Sequence, residues 1–405
     1  MSVNLRQYLI VTGNYWAFTL TDGALRMLVV LHFHSLGYSP LEITLLFLFY
    51  EFFGVVTNLV GGWLGARIGL NRTMNIGLGL QIAALAMLLV PTAWLTVAWV
   101  MAAQALSGIA KDLNKMSAKS AIKFLLPENA DSRLFHWVAV LTGSKNALKG
   151  IGFFLGGVLL SSLGFAGAVA AMAAGLALVW LFSLFALGQD LGRASGKPKF
   201  SQIFSKSRAI NALSAARLFL FGARDVWFVV ALPVFMSSQL GWSHTAVGSF
   251  LASWVVGYGL VQSLAPRLIT RGGRRRAQRL DATAWALGLA AVPALIALAL
   301  AEPAWQQNAL VGGLLLFGAV FAINSSLHSY LIVRHARADG VSMDVGFYYM
   351  ANAMGRLLGT VLSGWLYQVY GLAACLWVSC AFLLLAAALP LAMPPANKNA
   401  ERTPY

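Results

Sequence analysis

The stretch FLFYEFFGVVTNLVGGWLGARIGLNRTMNIGLGLQ, Phe47 to Gln81, decides the fold. Two apolar runs flank a short turn that carries Arg67 and Arg72. A helix needs about 20 apolar residues to cross a ~30 Å hydrocarbon layer, so the runs predict crossings at 41–66 and 73–91. The cations sit where the chain turns back. A hairpin of membrane helices with a basic turn is therefore the unit to look for on either side.

Outward from this hairpin, such runs fill almost the whole chain. Spans are predicted at 8–33, 41–66, 73–91, 95–122, 134–161, 165–187, 209–236, 244–268, 279–300, 307–333, 343–368 and 372–393. The breaks fall at Gly37 with Pro40, Pro91, Gly164, Gly241, Pro303 and Gly371, residues that interrupt helices. Of 405 residues, 59% are hydrophobic and only 10% charged, and the mean hydropathy is +0.73. No water-soluble surface can be built from that composition. The first run carries Asn14, Trp16, Asp22 and Arg26, which marks it as a resident helix and not a cleaved signal. Cys375 and Cys380 are the only cysteines, and both read as core residues. A three-thiolate trap for a soft ion is excluded, and no metal or cofactor is expected.

Basic residues sort the loops into two sets. One set carries Arg67 and Arg72, Lys123 and Arg133, the run Arg193 to Arg208, Arg267 to Arg279, and Arg334 with Arg337. The opposite set has no Lys or Arg. The positive-inside rule then places both termini and the central linker in the cytoplasm and requires an even number of spans. The net charge of +16 is largely topology, so nucleic acid is not an expected partner.

The halves repeat. A shift of 204 lays Leu36–Ser39 (LGYS) on Leu240–Ser243 (LGWS), and also Arg67, Gly69 and Arg72 on Arg271, Gly273 and Arg276. A shift of 207 lays Lys149, Gly152 and Gly157 on Arg356, Gly359 and Gly364. These matches predict an all-α membrane fold of twelve helices in two pseudo-symmetric bundles, 1–188 and 209–394. A linker at 189–208 and a tail at 395–405 complete it. Parallel repeats of this kind are the arrangement of the major facilitator superfamily. The loop GGWLGARIGLNR is similar to that superfamily's signature, with Gly62, Arg67, Gly69 and Arg72 matching. These residues are expected to form a conformational loop. Ala66 stands where the family has an acid, so the loop's charge relay is in doubt.

Charges inside the spans point to the substrate. Nine cations, Arg26, Lys111, Lys115, Lys119, Lys145, Lys149, Arg217, Arg224 and Arg356, face four acids, Asp22, Glu51, Asp112 and Asp225. A mid-bilayer charge costs at least ~2.5–3.5 kcal/mol, so each must meet a wet cavity or a partner. The excess calls for an anion. Lys111, Lys115 and Lys119 form one stripe, and Lys145 with Lys149 another, because residues four apart share a helical face. Lys145, Lys149, Arg224 and Arg356 fall near mid-span and lead the substrate ligands, with Lys111, Lys115, Arg26, Arg217 and Asn146 beside them. Lys119 reads either as a ligand or as a cation snorkelling to the inner surface. Asp22 and Arg26, four apart, read first as an ion pair. Asp225 points about 100° from Arg224, so these two need not pair. Asp22 and Glu51 are the proton-coupling candidates, the alternative being gating or packing.

Uncharged polar residues supply further possible ligands. Asn14, Thr19, Thr21, Asn114 and Asn324 to Ser326 are among them, although helix-to-helix bonding explains most such residues. Tyr348, Tyr349, Phe52 and Phe53 read as packing. No phosphate loop, zinc motif, dinucleotide fingerprint or nucleophile elbow is present, so no enzyme chemistry is expected.

The segments Asn14–His34, Phe47–Gln81, Ala105–Lys123, Gly143–Gly157 and Ala216–Phe235 resemble the ArsJ family of organoarsenical efflux permeases. The resemblance implies export of 1-arseno-3-phosphoglycerate across the bacterial inner membrane, giving arsenate resistance. It also implies that glyceraldehyde-3-phosphate dehydrogenase supplies the substrate. Such an ester is multiply anionic, as the excess of cations requires, and its pentavalent arsenic needs no thiolates. An organophosphate:phosphate exchanger of the same fold stays open, as does a non-transporting receptor or lipid translocase. The small anion, membrane lipid and a monomeric state complete the expectations.

Overall fold

A computed structural model describes residues 3–37, 46–125, 131–188, 191–194, 196, 198–204, 207–269 and 278–393. The first half comprises α1 (Val3–Ser35), α2 (Leu48–Ile68), α3 (Leu70–Met87), α4 (Val97–Leu125), and α5 with α6 inside one run, Asp131–Ala186, that breaks at Gly164. The second half comprises α7 (Arg208–Phe228, continued by Ala231–Ser238), α8 (His244–Ile269), α9 (Arg279–Ala299), α10 (Gln306–His335), and α11 with α12 inside the run Val341–Ala388, which breaks at Gly371. No strand occurs among the described residues. Arg271, Gly273, Arg276, the predicted start of the second span at 41–45, and the tail 395–405 lie outside the described residues.

Among the described residues, six helical runs have the length and apolarity of a crossing, and two of them, of 54 and 52 residues, are long enough to cross twice. The helices outside those runs, α1 to α4, hold most of the intramembrane charge.

The repeat is written into the backbone at the helix breaks. Gly164 (φ 68°, ψ −179°) and Gly371 (φ 77°, ψ −177°) adopt the same conformation, and they are related by the shift of 207. Gly37 (φ 88°) and Gly241 (φ 69°) are related by the shift of 204. All four lie in left-handed space that side chains avoid, and at Gly164 and Gly371 glycine ends one helix and starts the next with no intervening loop.

Within each half, close helix pairs are made by glycine. A Cβ at Gly23 of α1 would lie 2.8 Å from the Lys149 carbonyl of α5, and one at Gly152 of α5 would lie 2.7 Å from the Leu20 carbonyl. In the second half, Gly359 of α11 meets the Gly222 carbonyl of α7 at 2.7 Å in the same sense. Each contact brings two charged helices side by side. Between the halves, α2 touches α11 where Gly62 meets Ser342 and Gly346, and α5 touches α8 where Gly143 meets Gly259 and Ser263. The matched Gly62 thus lies at a helix crossing, and Gly69 (φ 95°) forms the turn between α2 and α3.

The apolar core is shared unevenly. At the end carrying the basic loops, one cluster joins Leu70, Met74, Ile122 and Phe135 of the first half to Ile210, Tyr330, Leu331 and Val345 of the second. Toward the other end each half has its own core, around Leu28, Phe33 and Val100 in the first and Trp227, Phe317 and Leu376 in the second. The Lys123 ammonium donates to the carbonyls of Arg334 and Ala336 at the end of α10, where a helix terminus attracts a cation. The halves therefore meet firmly at the basic end. There too, the Ala66 carbonyl accepts the Ala194 N–H of the linker at 2.8 Å. At the position where the family carries an acid, this chain makes a backbone tie.

Gly164→Ala places a side chain in a conformation essentially reserved for glycine, at a cost of about 1–3 kcal/mol. Gly175 lies in the helix α6 with open space around its Cα, and alanine there gains roughly 0.5–1 kcal/mol of helix stability. Thermal melts in detergent should therefore move in opposite directions for Gly164→Ala and Gly175→Ala.

Candidate functional site

A cavity of about 300 Å³ lies between the halves. Its walls carry Lys111, Lys115, Lys119, Lys145, Lys149, Arg217, Arg224, Arg356, Asp22, Glu51, Asp112 and Asn146. Nearly every charge singled out from the sequence converges here, because the i, i+4 stripes of α4 and α5 and the α7 and α11 arginines all point inward. Arg26 and Asp225 join through ion pairs with wall residues.

Five side chains form an alternating chain across the halves. Arg26 of α1 lies 3.6 Å from Glu51 of α2, and Glu51 lies 3.5 Å from Arg356 of α11. Arg356 donates through Nε to Asp225 of α7 at 3.2 Å, and Asp225 accepts from Arg224 at 2.5 Å. Three cations are thus held by two carboxylates. Arg224 also lies over the rings of Phe221 and Phe321, which fixes its plane.

These partners differ from one expectation and decide a second that was open. Asp22 does not pair with Arg26; it accepts a hydrogen bond from Tyr50 at 2.7 Å, while Arg26 turns to Glu51. Equal helical phase does not decide a pair when a neighbouring helix offers a closer group. Asp225 does pair with Arg224, since the arginine stem is long enough to fold back over one residue.

On α4, Asp112 binds Lys115 at 2.5 Å and lies 3.9 Å from Lys111, whose ammonium sits 3.7 Å above the Tyr50 ring. Lys119 does not snorkel. It is buried and donates to the Tyr349 hydroxyl at 2.5 Å, because α11 covers the end of α4. Tyr349 is therefore a wall residue of the cavity and not simply packing. Arg217 is buried too, donating to Asn352 at 2.9 Å and to the carbonyl and hydroxyl of Ser325, each at 3.1 Å.

Four cations lack a carboxylate. Among the described residues, none comes within 4.0 Å of Lys119, Lys145, Lys149 or Arg217. Lys119 and Arg217 have neutral hydrogen-bond partners, whereas the Lys149 ammonium lies 5.9 Å from the centre of the Phe153 ring.

The uncharged polar residues are mostly committed. Asn146 donates to Gln262 of α8 at 2.7 Å, Asn14 to Ser183 at 2.8 Å, and Asn114 to the Ala110 carbonyl at 2.9 Å. Thr19 and Thr21 bond back to their own helix. The wall residues Asn352, Gln262, Tyr258, Trp254 and Phe153 were not read from the sequence, although Asn352 stands one turn before Arg356 on the same face. Of the loop residues, Arg67 stacks over Trp63 at 5.0 Å, well away from the cavity. Cys375 and Cys380, both free, do not line the cavity. Among the described residues, no group of His, Cys, Asp and Glu is arranged to hold a metal.

A charged cavity enclosed between two parallel-related repeats is the layout of an alternating-access membrane transporter. The chain belongs to the Major Facilitator Superfamily, whose family model matches it twice, over residues 9–227 and 213–404. The double match is the repeat seen from another side. Solved structures share the fold at low identity. The human organic anion transporter TETRAN matches with a TM-score of 0.73 at 18% identity, over 96% of this chain and 100% of its own. A bacterial homologue of the iron transporter ferroportin, in an outward-facing state, matches with 0.73 at 14%, over 96% and 99%. The E. coli fucose:proton symporter matches with 0.72 at 13%, over 95% and 98%. No curated protein matches in sequence. Members of this family are transporters, which accords with the missing enzyme motifs.

Asp225 is fully buried between two arginines, whereas the Glu51 side chain is 33% exposed. Breaking a buried pair costs about 3–5 kcal/mol and a solvated one about 0–1 kcal/mol. Asp225→Asn should therefore lower the melting temperature and the yield of monodisperse protein far more than Glu51→Gln, as read by size-exclusion chromatography after heating.

Proposed function

We propose that the protein exports an anionic organoarsenical, 1-arseno-3-phosphoglycerate, and so confers resistance to arsenate. The observation that carries the reading is the set of four cavity cations without a carboxylate. Leaving them unpaired within the bilayer is costly, and a multiply charged oxyanion supplies what the protein leaves out. The ArsJ resemblance narrows the anion to the arsenate ester, and the absence of thiols from the cavity wall accords with pentavalent arsenic. That a neighbour of the same fold is described as an organic anion transporter agrees with the class. In this reading the membrane is the bacterial inner membrane and the basic end is cytoplasmic. The conformation described is then the one closed toward the cytoplasm, and glyceraldehyde-3-phosphate dehydrogenase supplies the substrate there.

Voltage alone favours expelling an anion, by about 2.3 kcal/mol per charge per 100 mV. Proton antiport is the added element of the proposal, with Asp22 or Glu51 as carrier. Protonating Glu51 would loosen Arg26 and Arg356 toward the substrate, and deprotonation would restore the chain and release it.

Everted vesicles supplied with the dehydrogenase, NAD+, arsenate and glyceraldehyde 3-phosphate should accumulate arsenic. Lys145→Ala or Lys149→Ala should reduce this by roughly tenfold or more, the loss of one charge-assisted hydrogen bond of ~1.5 kcal/mol or above, at unchanged protein level. Accumulation of glycerol phosphate against phosphate, with no arsenic signal, would identify an organophosphate exchanger instead. For the coupling, collapsing the pH gradient at constant voltage should slow uptake. Dependence on voltage alone, with full activity in Asp22→Asn and Glu51→Gln, would remove the antiport element.

A further inference from the structure

Two close helix crossings between the halves, α2 with α11 and α8 with α5, are mapped onto one another by the repeat. The shift of 207 carries Lys149 onto Arg356, and the shift of 204 carries Glu51 onto Val255. In the α2–α11 pair the cation has its carboxylate, with Arg356 lying 3.5 Å from Glu51. In the α5–α8 pair the same place holds an isopropyl group.

The contacts confirm the register. Asn146 donates to Gln262 at 2.7 Å, and a Cβ at Gly150 would lie 2.6 Å from Cγ2 of Val256. Gly143 meets Gly259 and Ser263 further along the same antiparallel crossing. These contacts bracket Lys149 and set it level with Val255, and both side chains line the cavity. Lys145 stands one turn away on the same stripe, likewise without a carboxylate.

The geometry points to an oxyanion subsite between Lys149 and Val255, in which a phosphate-like or arsenate-like end of the substrate takes the place that the Glu51 carboxylate takes in the symmetry-related pair. The inference rests on the reading that the cargo is an anion and assigns one of its ends to one place. The repeat places equivalent positions in both pairs. One pair is neutralised from within, and the other only when loaded. Val255 is the specificity position here, because its apolar side chain leaves the anion's place unfilled. Lys149 and Lys145 receive the charge as mobile ammonium groups.

Val255→Glu installs the missing carboxylate, and Val255→Gln is its uncharged isostere. Acylation of Lys149 by an amine-reactive reagent, read by peptide mass spectrometry on the purified full chain, needs no transport. Labelling should fall roughly fivefold or more in Val255→Glu relative to Val255→Gln, and 3-phosphoglycerate should protect Lys149 in the unsubstituted protein to a similar degree. The latter measurement stands even if Val255→Glu folds poorly. Arsenic uptake should be at least about tenfold lower in Val255→Glu than in Val255→Gln. Equal labelling and equal uptake in the two variants, with no protection by 3-phosphoglycerate, would overturn the subsite. Protection and a charge-dependent loss of labelling in a protein that moves no arsenic would keep the subsite and remove the organoarsenical from the reading.

Discussion

The structure is organised by the cost of holding charge inside a membrane. A cation in hydrocarbon must find water, a carboxylate or a ligand, and the alternating chain Arg26, Glu51, Arg356, Asp225 and Arg224 is how three of the nine intramembrane cations meet that cost. The chain also crosses from one half to the other. Any movement that separates α2 from α11 must break the link between Glu51 and Arg356, so the electrostatics of the cavity and the geometry of the bundle are one constraint. The link is weak enough to break, since its two side chains are 33% and 37% exposed. The buried pairing of Asp225 with its two arginines stays within the second half and moves with it.

Small residues make this arrangement possible. Charged side chains from α1, α5, α7 and α11 share one cavity only because Gly23 with Gly152, and Gly222 with Gly359, let the backbones approach. Membrane helices gain little from apolar burial against one another and rely on such close packing. The basic end adds a shared apolar core, the Lys123 contacts and the linker tie at Ala66. Firm contact at one end and separate cores toward the other mean that the halves are hinged by packing and not only by charge.

The fold was legible in the sequence to a large extent, because span length, loop charge and glycine punctuation are local signals. Gly164 and Gly371 were read as breaks, and both have the left-handed backbone that such a break needs. The membership of the cavity was legible too, since stripes four residues apart on α4 and α5 leave only one direction in which several charges can meet. The pairing within it was not. Asp22 and Arg26 share a face but take different partners, and Arg224 reaches an aspartate that helical phase turns away from it. Lys119 was read by depth along its own helix, whereas its surroundings are set by Tyr349 from the other half. Partners supplied by long-range packing leave no mark at a fixed sequence spacing.

The division between arginine and lysine follows from what each must do. The arginines are held in place: Arg217 by Asn352 and Ser325, Arg224 by Asp225, and Arg356 between two carboxylates. A planar fork held by several partners keeps its shape with or without ligand. Lys145 and Lys149 carry a compact charge on a flexible stem and, among the described residues, have no carboxylate to leave. A carrier has to bind its cargo firmly enough to change conformation and loosely enough to let it go. Fixed guanidinium groups give the cavity its form and field, and in the proposed function the ammonium groups of Lys145 and Lys149 are the ones that respond to what occupies it. In the proposed function, the difference between the loaded and empty states is concentrated on α5, which reaches both α1 of its own half and α8 of the other. A charge gained or lost at Lys149 is therefore felt at the crossing where the halves must slide.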